Sequence, residues 1–426
     1  MTVLIPEIYV LWHPRCAQGN ALAHHVYDWL RPGHGMGPQV FFRSLPDPVS
    51  PESIIPLPLP GENRAGRSTP TRPSSTVQIL VLLIDAHMVA DAAWRHWIKV
   101  LRSPGASTNS RIFLPVAMDL TAYNLNEGLR ELNFLRPVKF PAGSGAQNAN
   151  VDARDPLTRS FLRQLTEALS RLTWGGTMDV SQADLSTWFR QADAPKLKIF
   201  LSHAKRDGAT PARRIRDYIY SQTQIAAFFD ENDIPMGTGF AAVLDENVES
   251  PGTAAMIAVR TEAYSRRPWC RRELSVFRRP KMRRPAQSGV EHWSLQPVLV
   301  VDALEEKSRA ESLPEFGNSP VIRWANDEDL SEEIVTTLLR DALLSAYHDA
   351  LGRTLQVSGP ALIVNWRPDP ISLLQLPPIR FDEHGTPTAR EWRVFHPGRE
   401  FSGQDLDIFY DYFPNLEFHS FDSVTP

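Results

Sequence analysis

The chain has 426 residues and a formal charge of −4, with 42% hydrophobic and 22% charged residues. That is ordinary globular usage, so disordered and fibrous classes are excluded, and the length predicts about three domains. The near-neutral balance gives no reason to expect nucleic-acid binding, and two cysteines, Cys16 and Cys270, cannot build a disulfide framework or a four-cysteine zinc site.

The N-terminal residues Met1-Thr-Val-Leu-Ile-Pro6 show no basic or long apolar leader pattern. No apolar run reaches the ~18 residues that cross a bilayer, so a soluble, cytoplasmic protein without membrane contact is expected. The β-branched runs 7–12, 39–42, 78–84 and 111–116 predict buried strands, and helical patterns over 20–30 and 91–101 lie between them. Alternating strands and helices predict a parallel sheet covered on both faces. Part of the excess of 36 prolines falls in Leu45–Ser75, which reads as a long surface loop. A helix over Leu157–Leu172 closes this first unit.

The same order then returns. Strands are predicted at 198–201, 226–229, 254–259 and 296–301, with helices at 212–219, from near Trp269, and at 330–347. The stretch Asp179–Pro195 between the units reads as a linker with a short helical pattern. After Tyr347, strands at 361–365, 392–395 and 416–419 and a helix at 403–413 predict a smaller α/β lobe. Laid together without gaps, Ile79–Leu101 matches Ala255–Phe277 in its rhythm of strand, short loop and helix, which predicts an internal duplication. The expected domains are 1–178, a linker at 179–195, 196–350, and a lobe at 355–426.

The second copy carries a constellation of motifs. Lys198-Ile-Phe-Leu-Ser-His203 with Asp207, then Phe228-Phe-Asp230 with Gly237, Gly239 and Phe240, then Met256–Val259 with Thr261 and Tyr264, then Trp269-Cys-Arg-Arg-Glu273-Leu274 follow in order. Together they resemble the Toll/interleukin-1 receptor (TIR) domain family. Thr261 stands where the family usually has Ser, and Arg260–Pro268 is unusually basic. The resemblance implies tandem flavodoxin-like doubly wound parallel sheets, TIR-like in both copies, with the small C-terminal α/β lobe appended.

The resemblance also implies an activity. Many TIR domains cleave NAD between ribose and nicotinamide, through a glutamate that maps onto Glu273. Trp269 lies one helical turn earlier, on the same helix face. Nicotinamide is a cationic leaving group, and its departure leaves an oxocarbenium-like ribose that a fixed carboxylate stabilises. Placed in the first turn of its helix, Glu273 would also be kept ionised by the helix dipole. Cys270 reads as a buried small hydrophobe.

Other residues join by the same resemblance. Asp230, Gly237, Gly239 and Phe240 lie in the loop that borders the family's NAD pocket and mediates TIR–TIR packing. His203 and Lys205 follow the first strand, at the sheet end where open α/β folds bind ligands. No metal and no cofactor are expected, NAD being the substrate. The expected partner is a second copy or an activating protein, through TIR–TIR contacts. Neither Gly-x-Gly-x-x-Gly nor a P-loop is present, which argues against oxidoreductases and triphosphatases. A gap-free alignment sets Trp97 opposite Glu273 and Ala93 opposite Trp269, so the first copy is expected to be a catalytically dead sensing or assembly domain. The alternatives are a non-enzymatic TIR scaffold, or a cyclase forming a cyclic ADP-ribose signal. In bacteria such architectures commonly serve anti-phage defence by NAD depletion.

Overall fold

The computed structural model describes residues 5–32, 37–46, 55–64, 67–68, 76–103, 110–125, 129, 132–137, 155–175, 197–229, 253–287, 289–305, 313–325, 330–376 and 392–424. These fall into two units, one formed by the chain up to Ala168 and one from Asp193 onward, with Leu169–Gly175 belonging to the second. The expected linker at 179–195 lies outside the described residues.

The first unit runs β1 (Ile5–Trp12), α1 (Gly19–Leu30), β2 (Gln39–Arg43), the two-residue antiparallel pair β3 (Asn63–Arg64) and β4 (Arg67–Ser68), and β5 (Thr76–Ile84). Then follow α2 (Ala86–Ala90), α3 (Ala92–Arg102), β6 (Ser110–Ala117) and α4 (Pro156–Gly175). The sheet order is β2-β1-β5-β6, all parallel. Every residue of β5 is buried, as a central strand covered on both faces requires. Asp85 and Asp91 start α2 and α3 by accepting from backbone N–H groups of their first turns.

The second unit runs β7 (Lys198–His203), α5 (Ala209–Gln222), β8 (Ala226–Phe229), β9 (Thr253–Arg260), α6 (Glu262–Arg266), α7 (Pro268–Phe277), β10 (Lys281–Gln287) and β11 (Val290–Ser294). It continues with β12 (Val298–Asp302), β13 (Val321–Arg323), α8 (Leu330–Gly352), β14 (Ala361–Val364), α9 (Pro370–Leu374), β15 (Trp392–His396), α10 (Gly403–Tyr412) and β16 (Leu416–Ser420). Its first sheet is β8-β7-β9-β12-β13, all parallel, the flavodoxin-like order. One apolar cluster, with Ile199, Leu201, Ile257 and Val301, packs under α5 and α8. Another, with Phe200, Met256, Ala258 and Val300, packs under α6 and α7.

The four strands of the first unit's parallel sheet, β2-β1-β5-β6, are ordered like β8-β7-β9-β12 here. The two units agree in where the helices begin after β5 and β9. Ala86 and Glu262 both begin a short helix two residues past their strand, and Ala92 and Pro268 both begin the next helix.

Two expectations are corrected. The C-terminal lobe begins earlier than residue 355, because its sheet, β10-β11-β14-β15-β16, takes two strands from between α7 and β12. Lys281-Met-Arg-Arg-Pro-Ala-Gln287 lacks an apolar alternation, so nothing in its pattern announced a strand. Within Leu45–Ser75, the described part is not all surface loop. Leu59 and Glu62 are buried, with Glu62 accepting from the backbone N–H of Leu59 at 2.9 Å and from Trp97 Nε1 at 3.0 Å.

Candidate functional site

The site grows from the junction of β7, β9 and α7. Along β7, Phe200 faces the α6–α7 cluster while Ile199 and Leu201 face the other. Strand alternation therefore sends Ser202 toward α7. Pro268 at the first helical position pre-sets the backbone of α7 and needs no N–H partner. From there the helix turns Cys270, Glu273, Leu274 and Phe277 inward.

Three polar side chains meet inside this apolar cluster. Ser202 Oγ hydrogen-bonds to Glu273 Oε2, and the hydroxyls of Ser202 and Tyr264 lie 3.2 Å apart. Glu273 is only 6% exposed, Ser202 2% and Tyr264 0%. Burial and the neighbouring Glu273 carboxylate hold the Tyr264 phenol well above its usual range, so it stays a hydroxyl. Ser202 donates to Glu273, and the Tyr264 hydroxyl lies between the Ser202 hydroxyl and the Cys270 carbonyl, which is 3.5 Å away. The carboxylate is thus held by the Ser202 hydroxyl, with the Tyr264 hydroxyl behind it.

The loop after β7 fixes this arrangement from the strand ends. Asp207 accepts from Thr261 Oγ1 at 2.6 Å and from the backbone N–H of Ala263 at 2.9 Å. Thr261 in turn caps α6, accepting from the N–H of Tyr264 at 3.2 Å. Thr261 serves that cap with the same oxygen a serine would offer. Cys270 is buried, with its sulfur 3.7 Å from the carbonyl of His203.

Trp269 and Glu273 share a face of α7. Trp269 is half-buried against the same cluster, and the Arg272 guanidinium lies 5.0 Å from its ring centre. Glu273 does not sit in the first turn. It is five residues past Pro268, where a helix dipole has largely faded, and the Ser202 hydroxyl is the donor at its Oε2.

His203 ends β7 and is buried, but alternation puts its side chain on the face opposite Ser202, so the fold does not bring it to Glu273. Lys205 is exposed just beyond it. Asp230, Gly237, Gly239 and Phe240 lie outside the described residues. Ser202 and Tyr264 are site members that the sequence reading left as motif landmarks. The signal for Ser202 was the alternation along β7, which places it on the α7 face. Among the described residues no cluster of His, Cys, Asp or Glu has the makings of a metal site.

The first unit has a counterpart at each position. In strand register, Ile8 pairs with Ile79 and Ile199 with Ala255, so Leu11 corresponds to Ser202. Met88 then corresponds to Tyr264, and Trp97 to Glu273. All three are buried in one apolar cluster.

A doubly wound α/β unit with a buried carboxylate held at the carboxyl end of its central strands defines the class of this site. Residues 199–339 match the sequence model of the TIR domain family, and the chain carries a TIR domain over that stretch. No curated protein matches the chain. Among the described residues no helix is long and apolar enough to cross a membrane.

Proposed function

We propose that the TIR domain hydrolyses NAD at the nicotinamide–ribosyl bond, with Glu273 as the catalytic carboxylate. The observation that carries this reading is the hydroxyl chain from Tyr264 through Ser202 to Glu273. A buried carboxylate whose orientation is fixed costs no reorganisation when positive charge develops on the ribose. Nicotinamide leaves as a neutral ring, taking the bonding electrons that neutralise its own positive charge. The ribosyl cation is then captured by water, which forms the new C–O bond and releases a proton to solvent. Trp269 walls the pocket, and Ser202 and Tyr264 act as positioning residues.

The exposed Lys205 is the cation we assign to the NAD pyrophosphate. The loop with Asp230, Gly237, Gly239 and Phe240 is assigned to the pocket rim by the family resemblance. We further propose that the first unit is a degenerate TIR-like copy without turnover, used for sensing or assembly, and that TIR–TIR contacts activate the enzyme. Depletion of NAD on activation suits a role in anti-phage defence.

Incubation of the assembled protein with NAD, with products resolved by chromatography, tests the reaction. Nicotinamide and ADP-ribose in equal amounts are expected. A cyclic product would make the protein a cyclase, and NAD left intact under activating conditions would leave a scaffold.

A further inference from the structure

The carboxyl ends of β9, β12 and β13 carry a row of charged residues that neither the core nor the proposed chemistry uses. Asp302 of β12 pairs in register with Arg260 of β9 on one side and with Arg323 of β13 on the other. Met256 and Ala258 of β9 and Val298 and Val300 of β12 pack into the cluster under α6 and α7. Alternation therefore puts Arg260 and Asp302 on that same face, the face of Ser202 and Glu273. Ser202 lies level with Ala258, two residues short of Arg260. With strands about 4.8 Å apart and a rise of about 3.3 Å per residue, the Cα of Arg260 lies about 8 Å from that of Ser202, and the Cα of Asp302 about 12 Å.

Each of these two side chains has a polar atom left over. Asp302 gives Oδ2 to Arg323 Nη1 at 3.2 Å, while its Oδ1 is buried without a hydrogen-bond partner among the described residues. The Nε–H of Arg260 is buried and without a partner in the same way. The two residues are neighbours in register, yet no hydrogen bond joins these atoms. Buried donors and acceptors are nearly always paired, so an orphan of each kind on adjacent strands points to a ligand that completes them.

The chemistry of the two atoms selects that ligand. A guanidinium only donates, and an ionised carboxylate only accepts. The group between them must therefore offer an acceptor to Arg260 and a donor to Asp302. A phosphate or carboxylate offers acceptors alone, and Asp302 repels it. An ammonium offers donors alone, and Arg260 repels it. Neighbouring hydroxyls offer both. The carboxyl ends of parallel strands are where open α/β sheets bind ligands, and an acidic side chain that takes a ribose hydroxyl is a recurrent device of dinucleotide sites.

We propose that Arg260 and Asp302 hold the 2′- and 3′-hydroxyls of the adenosine ribose, and so select NAD over its 2′-phosphorylated form. The inference rests on the dinucleotide reading of this site and adds a subsite for the half of the substrate that Glu273 does not act on. A 2′-phosphate would replace the hydroxyl that donates to Asp302 with a group that only accepts and carries charge of the same sign. A ligand without the 2′-hydroxyl would leave one of the two orphan atoms unpaired again.

The test is calorimetric titration of the full chain with ADP-ribose, with ADP-ribose 2′-phosphorylated on the adenosine, and with ADP-ribose lacking that 2′-hydroxyl. ADP-ribose should bind most tightly. The 2′-phosphate should weaken binding by about tenfold or more, and loss of the hydroxyl by about tenfold. Asp302→Asn, which keeps the volume and removes the charge, should bring the 2′-phosphate within about threefold of ADP-ribose. Arg260→Gln should weaken ADP-ribose about tenfold. Circular dichroism checks that both variants fold, and the three ligands on the wild type decide the matter even if they do not. The readout is affinity without turnover. NAD left uncleaved would therefore contradict Glu273 as the catalytic carboxylate without touching this result. No binding of ADP-ribose up to about 10 mM overturns the proposal. So does equal or tighter binding of the 2′-phosphate form, undiminished binding without the 2′-hydroxyl (the sign of a base edge in place of the ribose), or wild-type affinities in both folded variants.

Discussion

Trp97 stands in the first unit where Glu273 stands in the second, and its indole Nε1–H donates to Glu62 at 3.0 Å rather than serving a ligand. Leu11 and Met88, aligned with Ser202 and Tyr264, are buried with Trp97 in one apolar cluster.

Trp97→Ala should therefore act on stability alone. Removing a buried indole from this cluster costs about 3–5 kcal/mol. Thermal or denaturant unfolding of the first unit should shift accordingly. Nicotinamide release per folded molecule should stay at the wild-type value, and a proportional loss of turnover would show that the first unit takes part in chemistry.

Ser202→Ala removes the hydroxyl that holds Glu273. The expected loss is about tenfold in kcat, equivalent to ~1.4 kcal/mol, with KM little changed. Tyr264→Phe, one step further along the chain, should lose less. Steady-state kinetics on both variants reads the order, and a larger effect from Tyr264→Phe would contradict Ser202 as the donor that holds the carboxylate.

Asp207→Ala releases both Thr261 Oγ1 and the N–H of Ala263. Lost capping of this kind costs about 1 kcal/mol. Because α6 positions Tyr264, the variant should lose some turnover along with its melting temperature, whereas Thr261→Ser, which keeps the cap, should change neither by much.

His396 supplies a pH dependence of stability. It is fully buried at the end of β15, and burial is the main cause that lowers its pKa below the ordinary 6.5. The unfolded chain then binds a proton near pH 6.5 that the folded lobe refuses. Stability is complete above that pH and falls as pH drops from 6.5 toward the lower folded value. Denaturant midpoints measured on either side of pH 6.5 should show this loss, and His396→Gln should flatten it.

Cys16 should be inert in the native protein. Burial, with Asp85 nearby, pushes its thiol up to about 12. At pH 8 only about one molecule in ten thousand would carry the reactive thiolate. Maleimide labelling should be slow in buffer and fast in denaturant.

Much of this architecture is legible in the sequence because buried parallel strands must be apolar almost throughout. Ile79–Ile84 and Met256–Val259 announce themselves, and the rhythm of the helices after them sets Trp97 opposite Glu273. Glu273 itself stands out through its spacing from Trp269. The partners of Glu273 are less visible, since a serine in a strand and a tyrosine in a short helix become neighbours only when β7 packs under α6 and α7. The β10–β11 pair was hidden for another reason. β10 is a basic edge strand without apolar alternation, and β11 pairs with β14 some 70 residues later, a partner no local pattern reports. His203 sits within the motif beside Ser202, yet alternation alone separates their faces.

The most direct measurement is nicotinamide release from NAD by the wild type and by Glu273→Gln, at equal concentrations of assembled protein with matched circular dichroism. Glutamine preserves the volume of the side chain and removes its charge. The account predicts steady release by the wild type and a loss of at least about a thousandfold in the variant, because the charge that faces the ribosyl cation is gone. Release by Glu273→Gln at the wild-type rate would contradict it.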